Sequence, residues 1–215
     1  DPQGLVLTDR TVEDDPHGAC DSMSSALANG SIQVGVLAML VGQAAMTLVM
    51  VVVPLHMHGE AHSANTISLA MTVHVVGMFA LSPVTGRLVD ALGSRIVVLL
   101  GGFFLLLASV LASMDAGLGT IFPSVFLVGY GWNACYVGGS SLLAKGIAVR
   151  IRARVQGRIE AMTAIIGALS SVVAGPLLVG GSGMGWVGAA SFAVAVGLII
   201  GLGGGRIIHR SVGQT

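Results

Sequence analysis

Six apolar runs cross this chain, at residues 33–53, 66–85, 96–114, 120–143, 160–180 and 186–204, and each is almost free of charge. Each is close to the roughly 20 residues that a helix needs to cross a bilayer. Such runs leave few folds open. Hydrocarbon offers no hydrogen-bond partner to a backbone N–H or C=O, so a crossing segment must be a helix, which satisfies its own, or a strand of a closed barrel. Barrel strands alternate lipid-facing apolar with lumen-facing polar residues over about ten positions. The runs here are continuous and lack that alternation. They predict an all-α polytopic membrane protein whose six transmembrane helices, joined by short connections, run antiparallel in one bundle. Composition agrees, since only 9% of the 215 residues are charged, against about a quarter in soluble domains. The 32 glycines show no collagen-like period and suit helices that approach closely in lipid.

Charge placement orients the bundle. The ten basic residues are Arg10, before the first run; Arg87 and Arg95, between the second and third; Lys145, Arg150, Arg152, Arg154 and Arg158, between the fourth and fifth; and Arg206 and Arg210, after the sixth. Every second connection is basic and the others hold no Lys or Arg. Basic residues are retained on the cytoplasmic face during insertion, so both ends are expected inside. Pro54 is expected to close the first span, and the external connections are then His56 to Asn65, Asp115 to Gly119 and Gly180 to Gly185. Residues 1–31, with Asp9, Glu13, Asp14, Asp15 and Asp21 among Gly, Ser and Pro, cannot bury enough apolar area to fold alone. They read as a polar cytoplasmic leader, 32–205 as the transmembrane bundle and 206–215 as a cytoplasmic tail. The leader has neither an initiator Met nor a basic stretch followed by a cleavage site, so it reads as a leader or linker rather than a signal peptide, and the chain either as a processed one or as the tail of a longer one. A formal charge of zero argues against a nucleic-acid partner. Cys20 in the leader and Cys135 inside a span give no disulfide signal and read as unpaired thiols.

Between the second and third runs stands Gly86-Arg87-Leu88-Val89-Asp90-Ala91-Leu92-Gly93-Ser94-Arg95. Gly86 would allow close packing at a helix end. Asp90 could face the positive end of a neighbouring helix, and Arg95 could cap carbonyls or pair with Asp90. In spacing and in side of the membrane the stretch resembles the loop signature of the major facilitator superfamily, with Ala91 where a basic residue is usual and Ser94 where Arg is common. His74 to Ala80, Gly131 to Leu143 and Arg152 to Gly157 also resemble bacterial permeases of that superfamily, and the resemblance spans nearly all of 32–205. It implies twelve helices in two six-helix halves, with this chain matching the second half, in the plasma (inner) membrane. It also implies secondary active transport of a small solute by alternating access, with Gly86, Arg87, Asp90, Gly93 and Arg95 as a gate. The expected partners are the solute, the lipid bilayer, and an N-terminal six-helix half or a second copy. No nucleotide-binding motif is present, so uphill transport would draw on an ion gradient, and protons are the expected ion. The permeases it resembles carry drugs, metabolites and vitamins, and nothing in the sequence selects among them. The alternative is a truncated, non-transporting membrane module that binds a partner or lipid.

The candidates for the solute or proton pathway are His74, Trp132, Asn133, Tyr136 and Gln43. His74 lies about nine residues into its run, or roughly 13 Å at ~1.5 Å per residue. An ionisable group at that depth is a functional hypothesis by default, and imidazole titrates near neutrality; the plainer reading is a neutral ring bonded to the next helix. Asn133 and Tyr136, at i and i+3, are expected to share a face beside Trp132 and to line a cavity, unless these polar groups bond between helices. Gln43 and Thr47 form a second polar pair, at i and i+4. No Asp or Glu is expected deep in a span, and Glu160, at the mouth of the fifth, reads as an interfacial group. His56, His58, Glu60 and His62 match no closed metal site, so loop histidines are the plainer reading. Arg150, Arg152, Arg154 and Arg158 suit topology and anionic headgroups. Gly197, Gly201 and Gly205 read as a packing stripe. No phosphate loop, Ser-His-Asp set or metalloprotease motif appears, so neither an enzyme nor a cofactor is expected.

Overall fold

The computed structural model describes residues 28–114 and 117–179. Every regular element among them is an α-helix. The order is α1 (Gly30–Gly59), α2 (Ala64–Phe79), α3 (Ser82–Leu92), α4 (Ser94–Met114), α5 (Leu118–Gly146) and α6 (Val149–Val179). Four stretches are long and apolar enough to cross a membrane: α1, α2 continued through α3, α4, and Val149–Pro176 of α6. The protein is thus an all-α polytopic membrane protein. Most of the leader, the run 186–204 with its glycine stripe, the Gly180 to Gly185 turn and the tail 206–215 lie outside the described residues.

Local chemistry explains the helix ends. The Asn29 side chain accepts from the Ser31 and Ile32 N–H groups and so opens α1, and Ser63 Oγ accepts from the Thr66 N–H to open α2. Such caps satisfy donors that the first turn leaves over. The expectation that Pro54 ends the first span is wrong, because α1 runs through it to Gly59. Proline gives up one backbone bond, and neighbouring groups in a bundle make that tolerable. His56 and His58 therefore belong to the last turn of α1. The second span is not one helix. It breaks at Ala80 and Leu81, just ahead of Ser82 and Pro83, which open α3; Pro83 has no N–H to continue the ladder.

Helix α5 is the axis of the bundle, packing on α1, α2, α3, α4 and α6. Its glycines set the spacing. A Cβ at Gly131 would lie 3.0 Å from the Gly101 carbonyl of α4, and one at Gly139 would lie 2.7 Å from the Gly35 carbonyl of α1. Neither contact leaves room for a side chain, so the backbones touch, as small residues allow in lipid. Leu48, Val49, Val52, Val53, Met57, Ala108, Ile121 and Val125 fill the core toward the Gly59 end of α1. Ile32, Met39, Leu143, Ile147, Val155 and Ile159 fill it toward the other end. Outward-facing Leu69, Val75, Phe103, Val110, Ile165, Leu169 and Val172 are exposed. An apolar shell this extensive suits hydrocarbon rather than water.

Candidate functional site

Helix α5 turns different side chains toward different neighbours, and this sorts the polar residues of its middle. Trp132 stands 14 residues from either end of α5. Its indole N–H donates to Gln43 Oε1 at 3.1 Å, and Gln43 Nε2 donates in turn to Thr47 Oγ1 at 3.2 Å. One turn further along α5, Tyr136 stacks on Trp132 with ring centroids 5.1 Å apart and planes inclined by 23°. On the other side Phe79, the last residue of α2, meets Trp132 edge-on at 6.3 Å. The Tyr136 hydroxyl donates to Glu160 Oε1 on α6. Gly167, also on α6, lies under the Gln43 amide, where a Cβ would sit 3.1 Å from Nε2. Phe79, Trp132 and Tyr136 thus form an aromatic ladder flanked by an amide, a hydroxyl and a carboxylate. Trp132 and Tyr136 are half-buried and Phe79 is 57% exposed, so the ladder is reachable from one side of the bundle.

Asn133 is not part of the ladder. The structure overturns the expectation that it shares a face with Tyr136: its amide turns to the α2–α3 break. Asn133 Nδ2 donates to Ser82 Oγ at 2.7 Å, and Thr85 Oγ1 donates to Asn133 Oδ1 at 2.7 Å. Ser82 Oγ also donates to the Met78 carbonyl. Asn133 is 3% exposed and Thr85 fully buried. The amide clamps the two halves of the interrupted span. The pair that shares a face with Tyr136 is at i and i+4, Trp132, rather than at i and i+3.

His74 is buried between α2 and α5, with Nδ1 at 3.0 Å from the Val125 carbonyl. Gly129 packs directly on the His74 backbone, where no Cβ would fit. This is the interhelical bond of the plainer reading, and the imidazole stands apart from the aromatic ladder.

The Gly86 to Arg95 stretch differs from the expected loop, because α3 continues to Leu92 and Gly93 alone joins it to α4. Gly93 has φ +88° and ψ 150°, a conformation essentially reserved for glycine. It makes the whole turn in one residue. Gly86 is not a packing contact: among the described residues a Cβ there would meet nothing within 4 Å. Arg87, Asp90 and Arg95 are exposed. Arg95 Nη2 donates to Ser31 Oγ at 2.6 Å, tying this turn to the start of α1; among the described residues it makes no ion pair with Asp90.

The apolar run puts Glu160 at the mouth of a span, and the structure adds that α6 begins at Val149, so Glu160 lies 11 residues inside the helix. The apolar run reports where lipid contact begins, whereas the helix itself starts earlier, among the arginines. One signal was available: Glu160 is the sole acidic residue between Asp115 and the chain end. Arg152 Nη2 donates to the carbonyl of Ile147, the residue that ends α5. His62 donates its N–H to the Met57 carbonyl in the α1–α2 turn.

The sequence matches the family model of the Major Facilitator Superfamily over residues 35–211. Two proteins of Bacillus subtilis described as uncharacterized MFS-type transporters are similar to it. YdeG is 32% identical over 153 residues, covering 70% of this chain and 36% of YdeG. YddS is 30% identical over 152 residues, covering 70% of this chain and 35% of YddS. The riboflavin transporter RfnT of Brucella anthropi is 27% identical over 180 residues, covering 82% of this chain and 45% of RfnT. The chain thus spans less than half the length of these relatives.

Proposed function

This chain belongs to the Major Facilitator Superfamily, and from that premise we propose that it forms the C-terminal six-helix half of a secondary transporter moving a small solute by alternating access. The observation that carries the reading is the polar and aromatic seam Gln43–Trp132–Tyr136–Glu160, whose members Gln43 and Trp132 stand about halfway along α1 and α5. Polar groups at that depth cost free energy in a bilayer and mark solute or ion routes. In transporters built of repeats, sites lie near the midplane between two bundles that rock about them. The open side of the ladder would then face a second six-helix bundle, either an N-terminal half or another copy. The Arg95–Ser31 bond and the one-residue turn at Gly93 give the proposed gate a contact to make and break at one end of the bundle, which we assign to the cytoplasm of a plasma-membrane protein.

Protons are the proposed coupling ion. Among the described residues, His74 and Glu160 inside the bundle can carry one. Glu160 is favoured because it touches the seam through Tyr136, whereas His74 is held in helix packing. Riboflavin, named for the Brucella relative, is a rational first solute.

The test is counterflow of candidate solutes, riboflavin among them, in proteoliposomes of the full-length transporter with and without a proton gradient. Transport of at least one solute that Trp132→Ala abolishes supports the seam. Uptake that Trp132→Ala and Gln43→Ala leave unchanged overturns it. Accumulation indifferent to the gradient and to both His74→Ala and Glu160→Gln removes the proton proposal.

A further inference from the structure

We infer that the acidic stretch of the leader, Glu13 to Asp21, docks on the basic outer face of the first turns of α6. The contact depends neither on the solute nor on the coupling ion, so it goes beyond the transport reading. Helix α6 starts at Val149, eleven residues ahead of the apolar run that begins at 160, and these added turns have two sides. Ile151, Val155 and Ile159 pack inward with Ile32 and Ile147. Arg150, Arg154 and Arg158, each four residues after the last, follow one another along the outside, and all three are exposed. Among the described residues Arg154 and Arg158 bond no partner. Arg152, between them in sequence, turns inward instead and donates to the Ile147 carbonyl, which fixes the connection from α5 that presents the row.

The formal charge of zero conceals a segregation of charge that matches this face. Six of the ten acidic residues, Asp1, Asp9, Glu13, Asp14, Asp15 and Asp21, fall within residues 1–27, beside a single base, Arg10. The described residues hold the opposite balance, seven Lys and Arg against the three acids Glu60, Asp90 and Glu160. Geometry brings the two together. A Cβ on Gly146, at the end of α5, would stand 3.0 Å from Ile32 Cγ1, and Ile32 shares a core cluster with Val155 of α6. The leader therefore joins α1 beside the start of α6. Asp21 is nine positions from Gly30, which can span up to about 30 Å, whereas Arg150 to Arg158 covers about 12 Å of helix. Exposed ion pairs are individually weak. Covalent attachment, however, raises the concentration of one partner at the other to about the millimolar range.

Anionic headgroups fit the row less well. A headgroup layer is about 5–8 Å deep on each side of the hydrocarbon. Arg154 and Arg150 stand six and ten residues ahead of the apolar run, which for a helix along the bilayer normal is about 9 and 15 Å beyond its edge. Only Arg158 stays within the layer. The outer part of the row thus faces water, where an acidic segment of the chain itself is the complementary partner.

The experiment is double electron–electron resonance on the full-length transporter in phosphatidylcholine nanodiscs, with spin labels at Gly18→Cys and Ala153→Cys in a cysteine-free background. Docking is expected to give a short, narrow distance peak at about 0.1 M salt. The peak should lengthen and broaden at about 1 M, where the screening length falls from about 10 Å to about 3 Å. Arg154→Glu with Arg158→Glu is expected to broaden it in the same way at low salt. Adding Glu13→Lys, Asp14→Lys and Asp15→Lys to that pair is expected to restore it, which shows that the swapped chain folds. A broad distribution at low salt overturns the proposal, as does a narrow one that neither high salt nor the arginine pair alters. A charge swap that leaves monodisperse protein without the peak overturns it too. The salt comparison uses the native arginines, so it decides even where a charge variant misfolds. Nanodiscs containing phosphatidylglycerol test the lipid as occupant. The peak is expected to survive there; its loss, with less phosphatidylglycerol retained by the arginine pair than by the native protein, would assign the face to the membrane instead.

Discussion

Replacing Asn133 by Ala deletes an amide that bonds Ser82 and Thr85 across the α2–α3 break, leaving each hydroxyl only its bond to a backbone carbonyl, of Met78 and of Leu81. The expected loss is roughly 0.5–1.5 kcal/mol of stability for each bond removed, the usual net worth of a hydrogen bond whose partner is not stranded, and thermal unfolding in detergent measures it. Trp132→Phe should behave differently, with near-normal stability and weaker solute binding, since the ring stays and only the bond to Gln43 goes. Two adjacent residues that the sequence presents as one polar cluster therefore separate into a clamp and a binding surface. Sequence spacing says that i and i+3 lie on neighbouring faces of a helix, yet which neighbour each face meets depends on where the other helices stand. Gly93→Ala should also destabilise, by about 1 kcal/mol or more, because its φ of +88° is strained for any residue with a Cβ. Gly86→Ala should not, since a Cβ there meets open space among the described residues. A thermal-shift comparison of these two glycines distinguishes the one that shapes the turn from the one that merely accompanies it.

At the scale of elements, the apolar runs and the helices agree where the chain stays in lipid and part company at the ends. Helix α4 begins at Ser94 against an expected 96, and α5 runs from Leu118 to Gly146 against 120–143. Helix α1 instead continues past Pro54, and α6 starts eleven residues before its apolar run. Backbone hydrogen bonding continues into the aqueous boundary, where hydropathy no longer reports it. The break in the second span falls just ahead of Pro83, whose missing N–H hydropathy does not register. Helix contacts depend on glycine in a way that can be tested: Gly129→Leu would drive a side chain into the His74 backbone and should separate α2 from α5. Loss of monodisperse protein on size-exclusion chromatography is the expected outcome. The same substitution at Gly157, where a Cβ meets nothing within 4 Å, is expected to be tolerated.

For the whole molecule, orientation is carried by charge alone, and it makes a separate prediction. In a cysteine-free background of the full-length transporter in cells, Ala61→Cys should react with a membrane-impermeant maleimide added outside, and Ala91→Cys only after permeabilisation. Both positions are exposed, so the opposite pattern would invert the topology. The sequence by itself determined the class of the fold, because continuous apolar runs in a bilayer admit only self-satisfied helices. It also determined the family, through the Gly86 to Arg95 spacing and the stretches around it, which the match over residues 35–211 bears out. Only the tertiary structure decided which polar groups meet. Gln43, Trp132, Tyr136 and Glu160 come from three helices up to 117 positions apart in the chain, and no local pattern encodes that meeting. It follows from the glycine contacts that set how closely α1 and α4 approach α5, and from the side of α5 that those contacts leave open.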